Sequence, residues 1–145
     1  MTAAPPRLHH VVFAVARERH DAVGQLFTEL GFSFNPTFSN DQAACLIIGE
    51  NMFAMLLVKP FFQTFTSKTI IEPKQQVEVL TCLSCESRAE VDEIVAKAVR
   101  AGGTTPRPVQ DLGFMYGHGF DDLDGHAWEF VYMDPNADPH AASAP

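Results

Sequence analysis

Residues 87–103, SRAEVDEIVAKAVRAGG, decide the fold because they repeat a pattern already present at residues 20–31, HDAVGQLFTELG. Ser87 and Glu90 have the spacing of a capping box, which predicts the start of a helix. Apolar residues then recur at helical spacing, namely Val91, Ile94, Val95, Ala98 and Val99. Gly102 follows as a stop signal. This stretch is therefore predicted to be an amphipathic helix that ends at a glycine.

The earlier helix matches this one at a common offset of 71 residues, which aligns Val23 with Ile94 and Gly31 with Gly102. Each helix follows one predicted strand and precedes three extended segments separated by turn residues. The segments are LHHVVFAV (8–15), FSFNPTF (32–38), AACLIIG (43–49) and MFAMLLV (52–58), then VEVLTCLSC (77–85), TTPRPV (104–109), GFMYGHGF (113–120) and HAWEFVYM (126–133). The repeat predicts an α+β fold built from two βαβββ modules.

The predicted domain organisation follows the repeat. One domain covers residues 8–133, with module one at about 8–58, a linker at about 59–76, module two at about 77–133, and tails at 1–7 and 134–145. The tails are rich in Ala, Pro and Asp and are expected to fray. Three linker phenylalanines, Phe61, Phe62 and Phe65, are expected to pack against the sheets.

The composition excludes several classes of function. Eighteen acidic and ten basic residues give a net charge of −8, which disfavours binding to nucleic acid or to anionic membranes. No run reaches the ~18 apolar residues of a membrane span, and MTAAPPRLHH lacks the apolar part of a secretory signal. Cys45, Cys82 and Cys85 form no disulfide framework, so a cytoplasmic location is expected. Cys82 and Cys85 are interpreted either as a redox pair or as two small apolar residues.

Four motifs resemble the vicinal oxygen chelate superfamily, which includes glyoxalase I, bleomycin-resistance proteins, fosfomycin-resistance enzymes and extradiol dioxygenases. They are HHVVFAV (9–15), NMFAMLL (51–57), DLGFMYG (111–117) and FDDLDGHAWEF (120–130). The likeness spans residues 8–133 and is strongest to small bacterial glyoxalase-like (lactoylglutathione-lyase-like) proteins. It implies a homodimer and two mixed sheets curled into half-barrels around a cleft, closed either within one chain or between two.

The resemblance also implies four metal-ligand positions, which fall on His10, Met55, Leu80 and Glu129. Only His10 and Glu129 can bind a divalent ion, because a thioether suits soft metals and leucine binds none. A catalytic zinc normally needs three protein ligands. We therefore expect either no cofactor or a weakly bound divalent metal (Zn, Ni, Mn or Fe) at His10 and Glu129, and no standard glyoxalase I activity.

His10 and Glu129 are also the predicted catalytic residues. Paired in an apolar barrel, they would form either a general base or an inert structural ion pair. His9 points to the opposite face of the same predicted strand, and His126 is predicted to follow a turn. His118 is the remaining histidine expected to reach the cleft.

Two functions follow from the resemblance. The first is a glyoxalase-like protein that acts on or binds a small molecule in the cleft, with a lyase or isomerase reaction. The second is a non-catalytic binding or drug-sequestration protein of the bleomycin-resistance type, whose aromatic walls and acidic surface suit a flat cationic ligand. The predicted substrate-binding residues are Phe53, Met55, Leu80, Phe114 and Tyr116. Other aromatic residues, Phe34, Phe38 and Trp128, belong either to this wall or to the core.

Overall fold

The computed structural model describes residues 10–18 and 20–140, apart from the side chains of residues 20–22. His9, the predicted tail at 1–7 and the last five residues, 141–145, lie outside the described residues. The first half contains β1 (Val11–Arg17), α1 (His20–Glu29), β2 (Ser33–Asn35), β3 (Ala43–Gly49), β4 (Met52–Val58) and the short helix α2 (Lys59–Phe62). The second half contains β5 (Thr81–Cys85), α3 (Arg88–Arg100), β6 (Gln110–Asp111), β7 (Met115–Asp121) and β8 (Ala127–Met133).

These strands form two four-stranded sheets with the same topology. The strand orders are β1-β4-β3-β2 and β5-β8-β7-β6. In each sheet the first strand pairs in parallel with the last, and the remaining neighbours are antiparallel. The prediction of an α+β fold with two βαβββ repeats is therefore confirmed.

Helix α1 belongs to the second of two structural units, although it follows β1 in the chain. The first unit contains β1–β4 and α2, and the second contains α1, α3 and β5–β8. Phe27 of α1 packs edge-to-face on Trp128 of β8 with ring centroids 4.8 Å apart, and its ring lies 6.5 Å from that of Phe120. The predicted helix over 20–30 is confirmed, with Gly31 just beyond its end at a φ of 102°. The spacing of apolar residues predicts that α1 has an apolar face, but it does not predict which sheet that face covers.

Helix α3 begins and ends where the sequence predicts. The Ser87 hydroxyl accepts a hydrogen bond from the Glu90 amide at 3.0 Å, which satisfies one free N–H of the first turn. Gly102 lies just past the last turn with a φ of 107°, a conformation that favours glycine. The buried residues of the helix are Val91, Val95 and Ala98. Val99 is 47% exposed, so its inclusion in the apolar stripe was wrong.

The segment 104–109 is not the strand that the sequence predicted. Thr104 makes one isolated bridge to Asp121, and regular pairing resumes only in β6. Pro106 and Pro108 explain the interruption, because proline has no N–H to donate to a neighbouring strand. The segment between Thr104 and β6 is therefore a loop and not an edge strand.

Two other predicted extended segments are shorter than expected. The strand predicted at 77–85 begins only at Thr81, and Val77 before it is 67% exposed. The segment 32–38 leaves β2 at Asn35, whose side chain accepts a hydrogen bond from the Thr37 amide at 3.0 Å. That bond and the following proline start a short 3-10 turn instead of extended backbone.

The predicted linker is helical at its start. It contains α2 followed by a 3-10 turn at Gln63–Phe65. Phe61 is half-buried, and its ring lies 5.3 Å from that of Phe65. Phe65 is nevertheless 69% exposed, so the expectation that it packs against a sheet was wrong. Its neighbour is another linker ring.

Candidate functional site

The second sheet has two unlike faces. On β8, Trp128 and Phe130 point to the side that is buried, each 1% exposed. Glu129 points to the other side because side chains alternate along a strand. Register places Gly119 of β7 and Cys82 of β5 directly across from Glu129. We call this side the Glu129 face, formed by Cys82, Gly117, Gly119, Asp121, Glu129 and Val131.

Gly119 lets the Glu129 carboxylate lie flat on the sheet. A Cβ built at Gly119 would overlap the Trp128 carbonyl oxygen and would lie 2.6 Å from Oε2 of Glu129. Gly117, two residues earlier, has ordinary space, since a Cβ there would meet its nearest atom at 3.5 Å. The two glycines therefore leave the backbone of β7 without side chains on this face. The Glu129 carboxylate approaches that backbone closely only at Gly119.

Arg107 is the cation of the Glu129 face. Its Nε donates to Oε1 of Glu129 at 2.5 Å, and its Nη1 donates to Oδ1 of Asp121 at 2.7 Å. Its Nη2 donates to the Phe120 carbonyl oxygen at 3.2 Å. The side chains of all three charged residues are between 23% and 31% exposed, so these charge-assisted bonds are partly shielded from water. Burial opposes the charged form of Arg107, but the bonds to Asp121 and Glu129 outweigh it and raise its pKa.

The loop that carries Arg107 is the segment mistaken for a strand. Pro106 and Pro108 flank the residue, and Nε2 of His118 lies 3.2 Å from the Arg107 carbonyl oxygen. His10 is the partner that the sequence predicts for Glu129, and Arg107 was not predicted. An arginine between two prolines, read as a loop and not a strand, was the signal that could have indicated Arg107.

The thiols near this face are not activated. Burial, together with the Glu129 carboxylate, raises the pKa of Cys82. Burial and a nearby Glu90 raise the pKa of Cys85 to about 11. A redox pair requires a lowered thiol pKa, so the structure disfavours that interpretation. The alternative of small buried residues fits Cys85, which is buried, but not Cys82, which is exposed. All three cysteines of the chain are free.

The turn between β7 and β8 is organised by a buried carboxylate. Oδ1 of Asp122 accepts from the amides of Asp124 and His126 at 2.9 and 3.0 Å. Oδ2 of Asp122 accepts from Nε1 of Trp128 at 2.9 Å. Burial raises the pKa of Asp122 against the effect of these bonds. The DDLDGH motif therefore fixes the register of β8, and with it the position of Glu129.

His10, Phe53 and Met55 lie in the first unit. The His10 ring lies 5.9 Å from that of Phe53. Phe53 and Met55 lie two residues apart on β4 and so point to the same side of the first sheet. Met55 is flanked by Ala14 of β1 and Cys45 of β3. Glu129 lies in the second unit, and the predicted pairing of His10 with Glu129 stays a prediction.

The other predicted binding residues of the second unit are Leu80, Phe114 and Tyr116. Leu80 is 56% exposed in the segment before β5, and Phe114 is half-buried just before β7. Tyr116 points away from the Glu129 face, because it alternates with Gly117 on β7. Its hydroxyl donates to Asp92 of α3 at 2.5 Å, and this bond raises its pKa. The Arg88 guanidinium lies over the Tyr116 ring, 4.9 Å from its centroid.

Of the remaining histidines, His118 differs from the expectation for the cleft and His126 agrees with its prediction. His118 alternates with Gly119 and points to the side opposite Glu129. The His126 main chain belongs to the β7–β8 turn, as the sequence predicted. Neither residue lies on the Glu129 face.

The residues around Glu129 do not fit a divalent metal ion. Among the described side chains, those of residues 10–18 and 23–140, no group of three or more His, Cys, Asp or Glu is arranged to hold one. The position beside the carboxylate is taken by the Arg107 guanidinium, whose charge repels a metal ion. Within the second unit, the oxygens of Glu129 and Asp121 form ion pairs with Arg107.

Solved structures similar to this chain share its fold. A hypothetical protein from S. aureus is 24% identical, with 88% of this chain and 95% of that chain covered, at a TM-score of 0.74. A glyoxalase-related enzyme from Fulvimarina pelagi is 17% identical, with coverage of 93% and 95%, at 0.72. A glyoxalase/bleomycin resistance protein/dioxygenase family enzyme from Burkholderia phytofirmans is 13% identical, with coverage of 84% and 96%, at 0.71. The fold implied by the sequence resemblance is therefore confirmed.

Sequence comparison adds no closer assignment. No family model matches the chain, and no curated protein matches it. None of the helices in the described part of the chain has the length and hydropathy needed to cross a membrane.

Proposed function

We propose that this chain is a vicinal oxygen chelate superfamily protein that binds a small organic molecule on its Glu129 face. The observation that carries the proposal is the open backbone at Gly117, next to the Glu129 carboxylate over Gly119 and its ion-pair partner Arg107. Binding sites combine apolar area with a few polar groups held in place. Val131 and the backbone at Gly117 supply the flat area here, and the ion pairs supply the fixed groups.

The chemistry of the face favours a flat, neutral or cationic ligand. Asp121 and Glu129 carry two negative charges against the one positive charge of Arg107. The whole chain, these residues included, has a net charge of −8, which attracts cations over a longer range. A flat ligand can approach the backbone at Gly117, where a side chain would otherwise hold it away, and it would meet the Glu129 carboxylate that covers Gly119.

Binding is favoured over catalysis by the state of the Glu129 carboxylate. A lyase or isomerase reaction of the glyoxalase-like type needs a proton acceptor that is free to reach substrate. Oε1 of Glu129 already accepts from Arg107, and Oε2 lies against the backbone at Gly119. We therefore expect no turnover of the methylglyoxal–glutathione hemithioacetal, with or without added Ni or Zn.

The binding proposal is tested by titrating the protein with proflavine, a flat cation, and with the anion 8-anilinonaphthalene-1-sulfonate. Amide NMR signals of Gly117 and Gly119 should shift with proflavine, and Glu129→Gln should weaken that binding by about tenfold. Glu50→Gln is the matched control, because it removes the same charge from an exposed turn. Shifts confined to first-unit residues, or equal affinity in both variants, would refute the site.

A homodimer and a cytoplasmic location complete the proposal. The resemblance implies the dimer, and sedimentation equilibrium tests it through the mass of the particle. Three free cysteines support a reducing compartment. Fractionation of the producing cells would test that location directly.

A further inference from the structure

Three oxygen atoms converge on the Arg107 guanidinium. They are Oε1 of Glu129, Oδ1 of Asp121 and the carbonyl oxygen of Phe120. Two carboxylates and one carbonyl are the ligand types that hard divalent cations prefer. In this chain the cation that the three oxygens bind is the guanidinium of Arg107, a side chain of the protein itself.

We infer that Arg107 is the resident cation of the Glu129 face and that it prevents divalent metal ions from binding there. The inference goes beyond small-molecule binding and holds whether or not a ligand occupies the face. It names Arg107 as the residue that determines which cation these oxygens accept.

A tethered guanidinium competes strongly with a free metal ion. Arg107 stays at a high effective concentration because its backbone is held beside the sheet, where His118 lies 3.2 Å from its carbonyl oxygen. Each of its three nitrogen positions has an oxygen partner at 2.5 to 3.2 Å. A metal ion would have to displace all three bonds and then remain near the displaced positive charge.

The inference predicts what removal of the guanidinium does. Without it, Asp121 and Glu129 would face each other as two partly buried carboxylates without a counter-ion. Such a pair repels itself until a cation binds between its members. Arg107→Met should therefore create a site for one hard divalent ion.

The test uses MnCl₂ alone, with free Mn²⁺ counted by its EPR signal and affinity measured by calorimetry. The full-length wild-type chain should leave added Mn²⁺ free, whereas Arg107→Met should bind about one equivalent at least tenfold more tightly. Arg107→Met combined with Glu129→Gln should lose that gain. Arg100→Met is the matched control, because it removes an exposed arginine from the end of α3 and should behave as wild type.

Two further variants keep the test decisive. Arg107→Gln serves if Arg107→Met does not fold, and Arg107→Lys keeps the charge and should stay as poor a Mn²⁺ binder as wild type. Stoichiometric Mn²⁺ binding by wild type that Arg107→Met does not strengthen would overturn the inference. Binding by Arg107→Met that survives Glu129→Gln would also overturn it. Neither result depends on proflavine, so failure here is distinct from failure of the binding proposal.

Discussion

The two sheets have the same topology but opposite chemistry at matching positions. In both sheets, β3 and β7 pair with β4 and β8 in the same register, so their positions can be compared one by one. The matching pairs are Met55 with Glu129, Cys45 with Gly119, and Ile47 with Asp121. The first sheet thus has three apolar side chains where the second has two carboxylates and a glycine.

The repeat therefore preserves the pairing of the strands but not the charged residues of the Glu129 face. Cys45 is 5% exposed and fills the position across from Met55, whereas Gly119 leaves its position open for the Glu129 carboxylate. Backbone hydrogen bonds need only strand residues, and many side chains satisfy that requirement. Chemistry therefore resides in a few substitutions on a common frame.

The largest expected effect comes from closing that open position. Gly119→Ala should lower the free energy of unfolding by about 3 kcal/mol or more, because the new methyl group overlaps the Trp128 carbonyl oxygen and the Glu129 carboxylate. Urea denaturation measures the loss. Gly117→Ala is the control, since its methyl group meets only ordinary contacts from 3.5 Å, and it should change stability little. Equal effects of both variants would contradict the close packing at Gly119.

The next largest difference in stability is expected between the β7–β8 turn of the second sheet and the β3–β4 turn of the first. Asp122→Ala removes the acceptor for Nε1 of Trp128 and for two turn amides, which should cost about 2 to 3 kcal/mol. Glu50→Ala changes the corresponding turn of the first sheet, where the side chain is exposed, and should cost under about 0.5 kcal/mol. Thermal and urea unfolding compare the two variants. A larger loss for Glu50→Ala would reverse the comparison.

Placing a carboxylate in the first sheet should show what Arg107 contributes to the second. Met55→Glu puts a half-buried charge between Ala14 and Cys45, and we expect it to cost about 2 kcal/mol at pH 8. The introduced carboxyl should have a raised pKa, so its penalty should shrink as the pH falls towards 4. Met55→Gln is the uncharged control and should show no such pH dependence. Urea unfolding at both pH values decides the outcome.

The smallest expected effect is the coupling between Arg107 and Glu129. A double-mutant cycle with Arg107→Met and Glu129→Gln should give about 1 kcal/mol, as expected for a partly exposed ion pair. Strict additivity would mean that the bond contributes nothing to stability. The same cycle with His10→Ala tests the pairing predicted from the sequence.

The fold could be predicted because its signals are local and occur twice. The Ser87 cap, the glycines after both helices and the exact bounds of β3 and β4 were all readable from periodicity and turn residues. A second copy with the same order of elements then removed most alternatives, since chance rarely repeats a whole order of elements.

The site was less predictable because its contacts join distant parts of the chain. Glu129 was identified, but Arg107 lies 22 residues earlier in a loop that was predicted to be a strand despite its two prolines. The resemblance implies only metal-ligand positions, and Arg107 is not among them because an arginine does not bind metal ions. Tyr116 was placed with the binding residues because it is aromatic, whereas alternation along β7 puts its side chain on the side opposite Gly117 and Gly119.

The assignment of α1 to the second unit has a consequence during synthesis. Phe27 leaves the ribosome about a hundred residues before Trp128, which at about 5–20 residues per second is a delay of about 5 to 20 s. β1–β4 need only each other to pair and can form a sheet within that interval. Leu26 and Phe27, each 1% exposed once folded, remain in water until β8 arrives. The nascent chain therefore exposes the apolar residues of α1 throughout that interval, before β8 is available to cover them.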